Sequence, residues 1–431
     1  MAREMIGVDQ KVPVVRAIPL GLQHLMSMFG ATVLVPILTG LSPSLAIMCS
    51  GIGTFIYLLC TRGKIPSYLG SSFAFITPVA FVVASQGVEY AMGAVAITGL
   101  VYLVVAGIIK FIGTGWINRV LPPVLVGSVI VVIGVGLSAT AVGMALNSGG
   151  DTFQPLGFAA AAVTLLTAIA FSSFFKGFIS TIPVLLGIIV GYIVAALMGL
   201  VSFQPVIDAA WVGIPEFRAP AFSLSAILLV APVALVVVIE HIGHLLVVGE
   251  IVGKDYSKQL PASLAGDGIA TTVAGLLGGP PSTTYAENMG VMSVTKVYAT
   301  QVFWYAAAFA FVIGGFCPKL GALIQSIPTP VMGGVSLLLF GLIASNGLRM
   351  MVTSKVDFSK NRNLMIVSTV LIIGIGMECL GVAIPIGDYT VPGMATSAVL
   401  GIILNLVLPK DAEDKVQTLG FTDDRSQSDT D

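Results

Sequence analysis

The stretch PPSTTYAENMGVMSVTK, residues 280 to 296, decides how the chain is read. It holds two prolines, a run of hydroxyls, Tyr285, Glu287 and Asn288. Its flanks, GIATTVAGLLGG and VYATQVFWYAAAFAFVIGGF, are strongly apolar. The stretch is too polar for an ordinary membrane span, and its neighbours are too apolar for a solvent loop.

Composition sets the context. The chain is 56% hydrophobic and 10% charged, against about 25% charged in soluble domains, which makes it a membrane protein. The net charge of −1 says nothing about nucleic acid, no basic stripe suggests it, and no nucleic-acid partner is expected. Cys49, Cys60, Cys317 and Cys379 stand singly in apolar segments, so they read as packing residues rather than metal ligands. No GxxxxGK[ST] run marks a primary pump, and nothing marks a nucleophile or metal triad of an enzyme. No metal or other cofactor is expected. The first apolar stretch lacks a small-residue cleavage site and is kept as a span.

A spanning helix needs about 20 apolar residues. Spans are placed near 17–38, 44–60, 69–84, 91–112, 122–145, 157–175 and 179–200. A second set follows near 222–249, 262–278, 284–294, 297–316, 329–348, 363–380 and 391–408. Lys and Arg collect on the cytoplasmic side. With the N-terminus inside, this count of fourteen puts 18 basic residues inside and only Arg218 and Lys319 outside. Dropping the tenth span would move four basic residues within 349–362 outside. The opening stretch is therefore expected to cross, and both termini to be cytoplasmic.

The halves resemble each other. LPPVLVGSVIVVIG (121–134) lines up with TPVMGGVSLLLFG (329–341), QHL (23–25) with EHI (240–242), and GIGT (51–54) with GIAT (268–271), at offsets of 207 to 217 residues. That offset spans seven crossings, an odd number, so the second half is expected upside down relative to the first. Inverted repeats with broken helices meeting near the midplane are a transporter architecture. In this register LGSSFAFITP (69–78) partners STTYAENMG. Irregular backbone at membrane depth is tolerated only where protein or a water-filled cavity satisfies it, so these two segments point to the binding site.

Charged groups at the bilayer centre cost about 2.5–3.5 kcal/mol each on insertion scales, so those retained need partners or a task. Glu240 and His244, four residues apart, share a helix face and read as a proton-exchanging pair that also meets substrate. Glu287 reads as a ligand contact or a half-helix cap, and Asn288 as a network or capping residue. Asp267 serves coupling or helix packing. Gln23 also lies inside a span, and His24 and His241 read as packing histidines. Tyr285 and Phe73 are candidates to stack on a flat ligand. Glu250 and Glu378 are placed at the interfaces, and 409–431 reads as a disordered tail.

At this point the residues resemble a known family. TTYAENMGVMSVTK is similar to the signature of the nucleobase–ascorbate transporters, through Glu287, Asn288, Gly290, Thr295 and Lys296. QHLMSMFGATVLVP (23–36), IPSYLGSSFAF (65–75) and IEHIGHL (239–245) look like its uracil permease branch. The resemblance implies an all-α polytopic membrane protein in two inverted seven-span repeats. A cytoplasmic N-terminus (1–16) would precede a core domain of spans 1–4 and 8–11 (17–112 and 222–316). Spans 5–7 and 12–14 (122–200 and 329–408) would form the gate domain. Spans 3 and 10 would be short strands running into half-helices. It further implies that Glu240 and Glu287 hold the base, aided by backbone at Phe73 and Ala286, with Tyr285 beside them. Glu240, His244 and Asp267 would couple protons, supported by Asn288, Ser72, Ala31 and Phe340. Two positions depart from the branch, which has Gly where this chain has Ala286 and Tyr where it has Phe340.

The expected function is a proton-coupled uracil importer of the bacterial inner membrane, working by alternating access. The alternatives are a purine, xanthine or broad pyrimidine permease, sodium coupling, or a channel. Uracil offers two ring N–H donors to carboxylates and two carbonyls to backbone N–H groups at half-helix starts. The resemblance also allows a homodimer through the gate domains.

Overall fold

The computed structural model describes residues 5–386 and 389–409. The expected tail beyond Pro409 and the first four residues of the expected N-terminal segment lie outside them.

The chain begins with α1 (Val14–Thr39) and α2 (Pro43–Cys60). Strand β1 (Leu69–Ser71) then runs through a 3-10 turn (Phe73–Phe75) into α3 (Ile76–Ser85). Next come α4 (Val88–Ile112), α5 (Gly115–Val120), α6 (Pro123–Gly136), α7 (Ser138–Asn147) and α8 (Pro155–Phe174). A 3-10 turn (Ile179–Thr181) leads into α9 (Pro183–Leu197), followed by α10 (Gln204–Asp208), α11 (Leu224–Val230), α12 (Ala234–Val252) and α13 (Leu260–Leu277). Strand β2 (Ser282–Thr284) opens α14 (Ala286–Thr295), and α15 (Thr300–Phe316), α16 (Pro318–Gln325), α17 (Thr329–Thr353) and α18 (Asn361–Leu380) follow. Strands β3 (Ala383–Ile386) and β4 (Tyr389–Pro392) precede α19 (Gly393–Val407).

Prolines start many of these helices, where the missing N–H costs nothing; Pro43, Pro123, Pro155, Pro183 and Pro318 are examples. Helical structure falls within each of the fourteen expected stretches. By length and apolarity alone, nine stretches among the described residues can cross a membrane, or ten if α15 and α16, bent by 83°, count as one. Three apolar helices are shorter: Phe73–Ser85, Pro183–Leu197 and Gly393–Val407. The sequence reading had not foreseen the β3–β4 pair, which forms where the apolar pattern is rich in β-branched residues.

Packing joins two sets of helices. In one, α13 lies along α4 and α2, while α15 lies along α2 and α1. In the other, α17 packs on α6, α7 and α8, α8 on α9, and α18 on α19 and α6. Small residues permit the closest approaches. A Cβ on Gly99 of α4 would sit 2.4 Å from the Thr272 nitrogen and 2.5 Å from the Gly268 oxygen of α13.

The two broken segments meet each other. β1 and β2 pair antiparallel, with Leu69 opposite Thr284, Gly70 opposite Thr283 and Ser71 opposite Ser282. Around this three-residue ladder the backbone is satisfied: the Ser72 N–H donates to Pro281 O at 2.8 Å, and the Tyr285 N–H to Tyr68 O at 3.0 Å. The aligned GIGT and GIAT motifs supply further acceptors. Thr54 Oγ1 accepts from the Leu69 N–H at 2.9 Å, and Thr271 Oγ1 from the Ser282 N–H at 3.1 Å. Buried strand amides deep in an apolar protein need such partners. Gly70 is required by space, because its Cβ would lie 2.5 Å from the Tyr285 ring.

Candidate functional site

The segments holding β1 and β2 bring their ends to one cavity of about 170 Å³. Its walls include Phe73 from the first break and Thr283, Thr284, Tyr285, Ala286 and Glu287 from the second. Glu240 and His244 come from α12. The opposite wall is Ile130 from α6 and Leu339, Leu342, Ile343 and Asn346 from α17. The volume lies below the roughly 300–1,000 Å³ of drug-sized pockets, a size for a single small ring system. Ile130, His244, Ala286 and Asn346 also line a wider vestibule of about 640 Å³, bounded by Glu250, Lys254 and Arg349 among others.

Each acid is placed by its element. Glu287 sits in the first turn of α14, where free N–H groups and the helix dipole favour a carboxylate. Glu240 is buried midway along α12, and its Oε2 has no hydrogen-bond partner. Thr283 Oγ1 is equally buried and unpartnered. Two orphaned polar atoms on residues lining one cavity are what a ligand would satisfy. His244, one turn beyond Glu240, has its Nδ1 3.2 Å from Thr284 Oγ1.

The other expected residues divide into cavity and scaffold. Phe73, Ala286 and Tyr285 are at the cavity. Tyr285 is also tied down, since its hydroxyl donates to Ser71 O at 2.9 Å and accepts from Thr32 Oγ1 at 3.3 Å. Phe340 stands behind the wall, edge-on to Phe73 with ring centroids 5.8 Å apart. Asn288 Nδ2 reaches His24 at both Nδ1 (3.0 Å) and the carbonyl oxygen (3.1 Å). Ser72 and Ala31 are buried outside the cavity lining. Asp267 is likewise away from it, with Oδ2 2.7 Å from His241 Nδ1. His241 Nε2 is 2.8 Å from Ser263 Oγ, which is 2.7 Å from the Tyr57 hydroxyl. Of the two acids expected at interfaces, Glu250 is exposed at the vestibule. Glu378, near the end of α18, caps α19, its Oε1 accepting from the Met394 N–H at 2.9 Å.

Sequence reasoning missed three residues. Thr283 and Thr284 were hidden in a hydroxyl run whose alternation becomes meaningful only once the strand is known. Asn346 was legible: it is a polar residue in register with Leu339, Leu342 and Ile343 on one face of an apolar helix.

Comparison with known proteins gives the chain's relatives and its fold. The chain is 48% identical over 409 residues to the uracil permease of Bacillus subtilis (strain 168), covering 92% of this chain and 93% of that one. It is 44% identical to the uracil permease of Escherichia coli (strain K12), covering 94% of each. In fold it is similar to the transmembrane domain of a cyanobacterium bicarbonate transporter, BicA, with a TM-score of 0.68, 16% identity, and coverage of 87% of this chain and 99% of that one. Residues 15–380 match the Permease family, Xan_ur_permease, and the chain is a multi-pass membrane protein that belongs to it.

Proposed function

We propose that the chain imports uracil across the bacterial inner membrane, coupled to protons, by alternating access. The observation that carries this is the small cavity between Glu240 and Glu287, where Glu240 Oε2 and Thr283 Oγ1 lack partners. Two carboxylates suit the ring N–H donors of a neutral base, and the start of α14 suits a carbonyl. The same acids argue against an anion as cargo, whatever the likeness to a bicarbonate transporter's fold. Uracil permeases aligned over nine-tenths of the chain support the choice of base.

Fourteen crossings in two inverted repeats form the frame of this reading, with α14 and α3 as half-spans. Packing supports it, because contacts recur when the halves are exchanged. The pair α13 with α4 answers α2 with α15, α8 with α9 answers α18 with α19, and α17 with α8 answers α6 with α18. The aligned proline-led motifs pack on each other: a Cβ on Gly134 would lie 2.4 Å from Phe340 O, and one on Gly347 2.6 Å from Gly127 O. The set around α1, α2, α4, α12, α13 and α15 is then the core, and α6–α9 with α17–α19 the gate. Two copies joined through the gate belong to the same reading. The vestibule opens at the end carrying Lys254 and Arg349. Basic residues favour the cytoplasmic side, so both termini are inside and the site faces inward.

In this mechanism Glu240 and Glu287 receive the base, Phe73 and Tyr285 flank it, and Glu240 and His244 exchange the coupling proton. Asp267 supports them through His241, with Asn288, Ser72, Ala31 and Phe340 behind. A second reading, a broader pyrimidine or purine carrier, rests on Ala286, which lines the site at a position where the branch that the chain resembles has Gly. Purified protein in liposomes separates these. We expect uracil uptake driven by an inward proton gradient, with thymine, xanthine and hypoxanthine competing poorly. Uptake that follows sodium and ignores pH overturns the coupling, and preference for xanthine overturns the substrate.

A further inference from the structure

The cavity has two unlike walls. The core wall is polar, with Glu240, His244, Thr283, Thr284 and Glu287, whereas the gate wall consists of Ile130, Leu339, Leu342, Ile343 and one amide, Asn346. Asn346 is exposed, lines both the cavity and the vestibule, and its side chain makes no hydrogen bond among the described residues. Water satisfies it while the vestibule is open. When the gate closes on the core, that water leaves, and an amide buried without a partner opposes closure.

We propose that Asn346 is the gate's specificity residue, donating from Nδ2 to an exocyclic carbonyl oxygen of the bound base as the cleft closes. This rests on the nucleobase reading above. The carboxylates of the core take the ring N–H donors, which leaves a carbonyl edge to face α17, and only a donor answers it. A base with that carbonyl permits closure; an empty site or a ligand lacking it leaves the amide unpaired. Asn346 thereby ties occupancy to movement, while the core supplies most of the affinity in the open state.

The test separates binding from turnover. Wild type, Asn346→Leu, Asn346→Asp and Asn346→Gln are purified, uracil binding is measured by calorimetry, and uptake is measured in liposomes. Asn346→Leu is expected to bind uracil within about threefold of wild type, yet to lose about tenfold or more in maximal uptake, the factor of one unmade buried hydrogen bond. Asn346→Asp, which keeps the shape and removes the donor, is expected to be slow as well, and Asn346→Gln to recover part of the rate. Asn346→Leu uptake at the wild-type rate overturns the proposal. So does equal loss of binding and uptake, which marks a plain open-state contact. Wild type is titrated with uracil, thymine, xanthine and hypoxanthine in parallel. If a base other than uracil binds, the uracil assignment alone falls, and the Asn346 variants are read with that base. If none binds, both fall.

Discussion

Helices α1 and α12 carry the aligned QHL and EHI motifs, and they use the aligned residues in opposite ways. Gln23, His24 and Ser27 align with Glu240, His241 and His244 at a constant offset of 217 residues. On α1 every one of these groups is spent on protein. Gln23 Nε2 donates to Thr181 Oγ1 at 2.8 Å, Ser27 Oγ donates to Thr181 O at 2.8 Å, and the His24 ring lies against Phe303 and Asn288. On α12 only the middle residue is spent this way, since His241 meets Asp267 and Ser263. Glu240 and His244 line the cavity instead. The motif recurs and its use does not: on α1 it grips the neighbouring helices, and on α12 it lines the cavity.

The largest expected effects fall on the side of the comparison that faces the cavity. Glu240→Ala and Glu287→Ala each remove charge-assisted hydrogen bonds, worth about 1.5–3 kcal/mol apiece. Losing one such bond from either carboxylate implies about tenfold to 100-fold in uracil affinity. Calorimetric titration of folded protein reads this directly, and near-wild-type affinity in Glu287→Ala sinks the assignment of the site. Thr283→Val comes next. Valine keeps the shape and removes a hydroxyl that is buried and unpartnered without ligand, so affinity is expected to fall about tenfold. Thr283→Ser should restore it. Unchanged affinity in Thr283→Val places the hydroxyl off the ligand.

Much of this was legible in the chain, for identifiable reasons. Charged and hydroxyl groups are costly in an apolar setting, so Glu240, His244 and Glu287 stood out individually, and all three line the cavity. The two breaks were legible as short Ser/Thr/Gly-rich segments at matching positions, and their strands were implied by the family resemblance. What stayed hidden depends on partners distant in sequence. Nothing local says that Tyr285 is fastened by Ser71 and Thr32, or that Phe340 reaches the site only through Phe73. The role of the GIGT and GIAT threonines was invisible too. Both motifs appeared as marks of a repeat, yet each threonine accepts a strand N–H. Repetition there reflects a backbone group that each half must satisfy.

The smallest expected effect sharpens the comparison most. Gln23→Leu removes a hydrogen bond between α1 and the turn before α9, and leaves Thr181 Oγ1 with its own bond to Phe178 O at 2.7 Å. The net value of such a bond is about 0.5–1.5 kcal/mol, and leucine has similar volume in an apolar setting. Thermal stability in detergent should therefore fall only slightly. Uracil affinity should stay within about twofold, because Gln23 is absent from the cavity walls. Uptake is the informative readout. If the core moves against the gate during transport, the Gln23–Thr181 contact joins the two parts in the inward-facing form and must be remade or broken each cycle. Maximal uptake would then change by a few-fold while affinity does not. A change in affinity comparable to that in Glu240→Ala would instead show that the first half also holds the base, and the contrast between α1 and α12 would be lost.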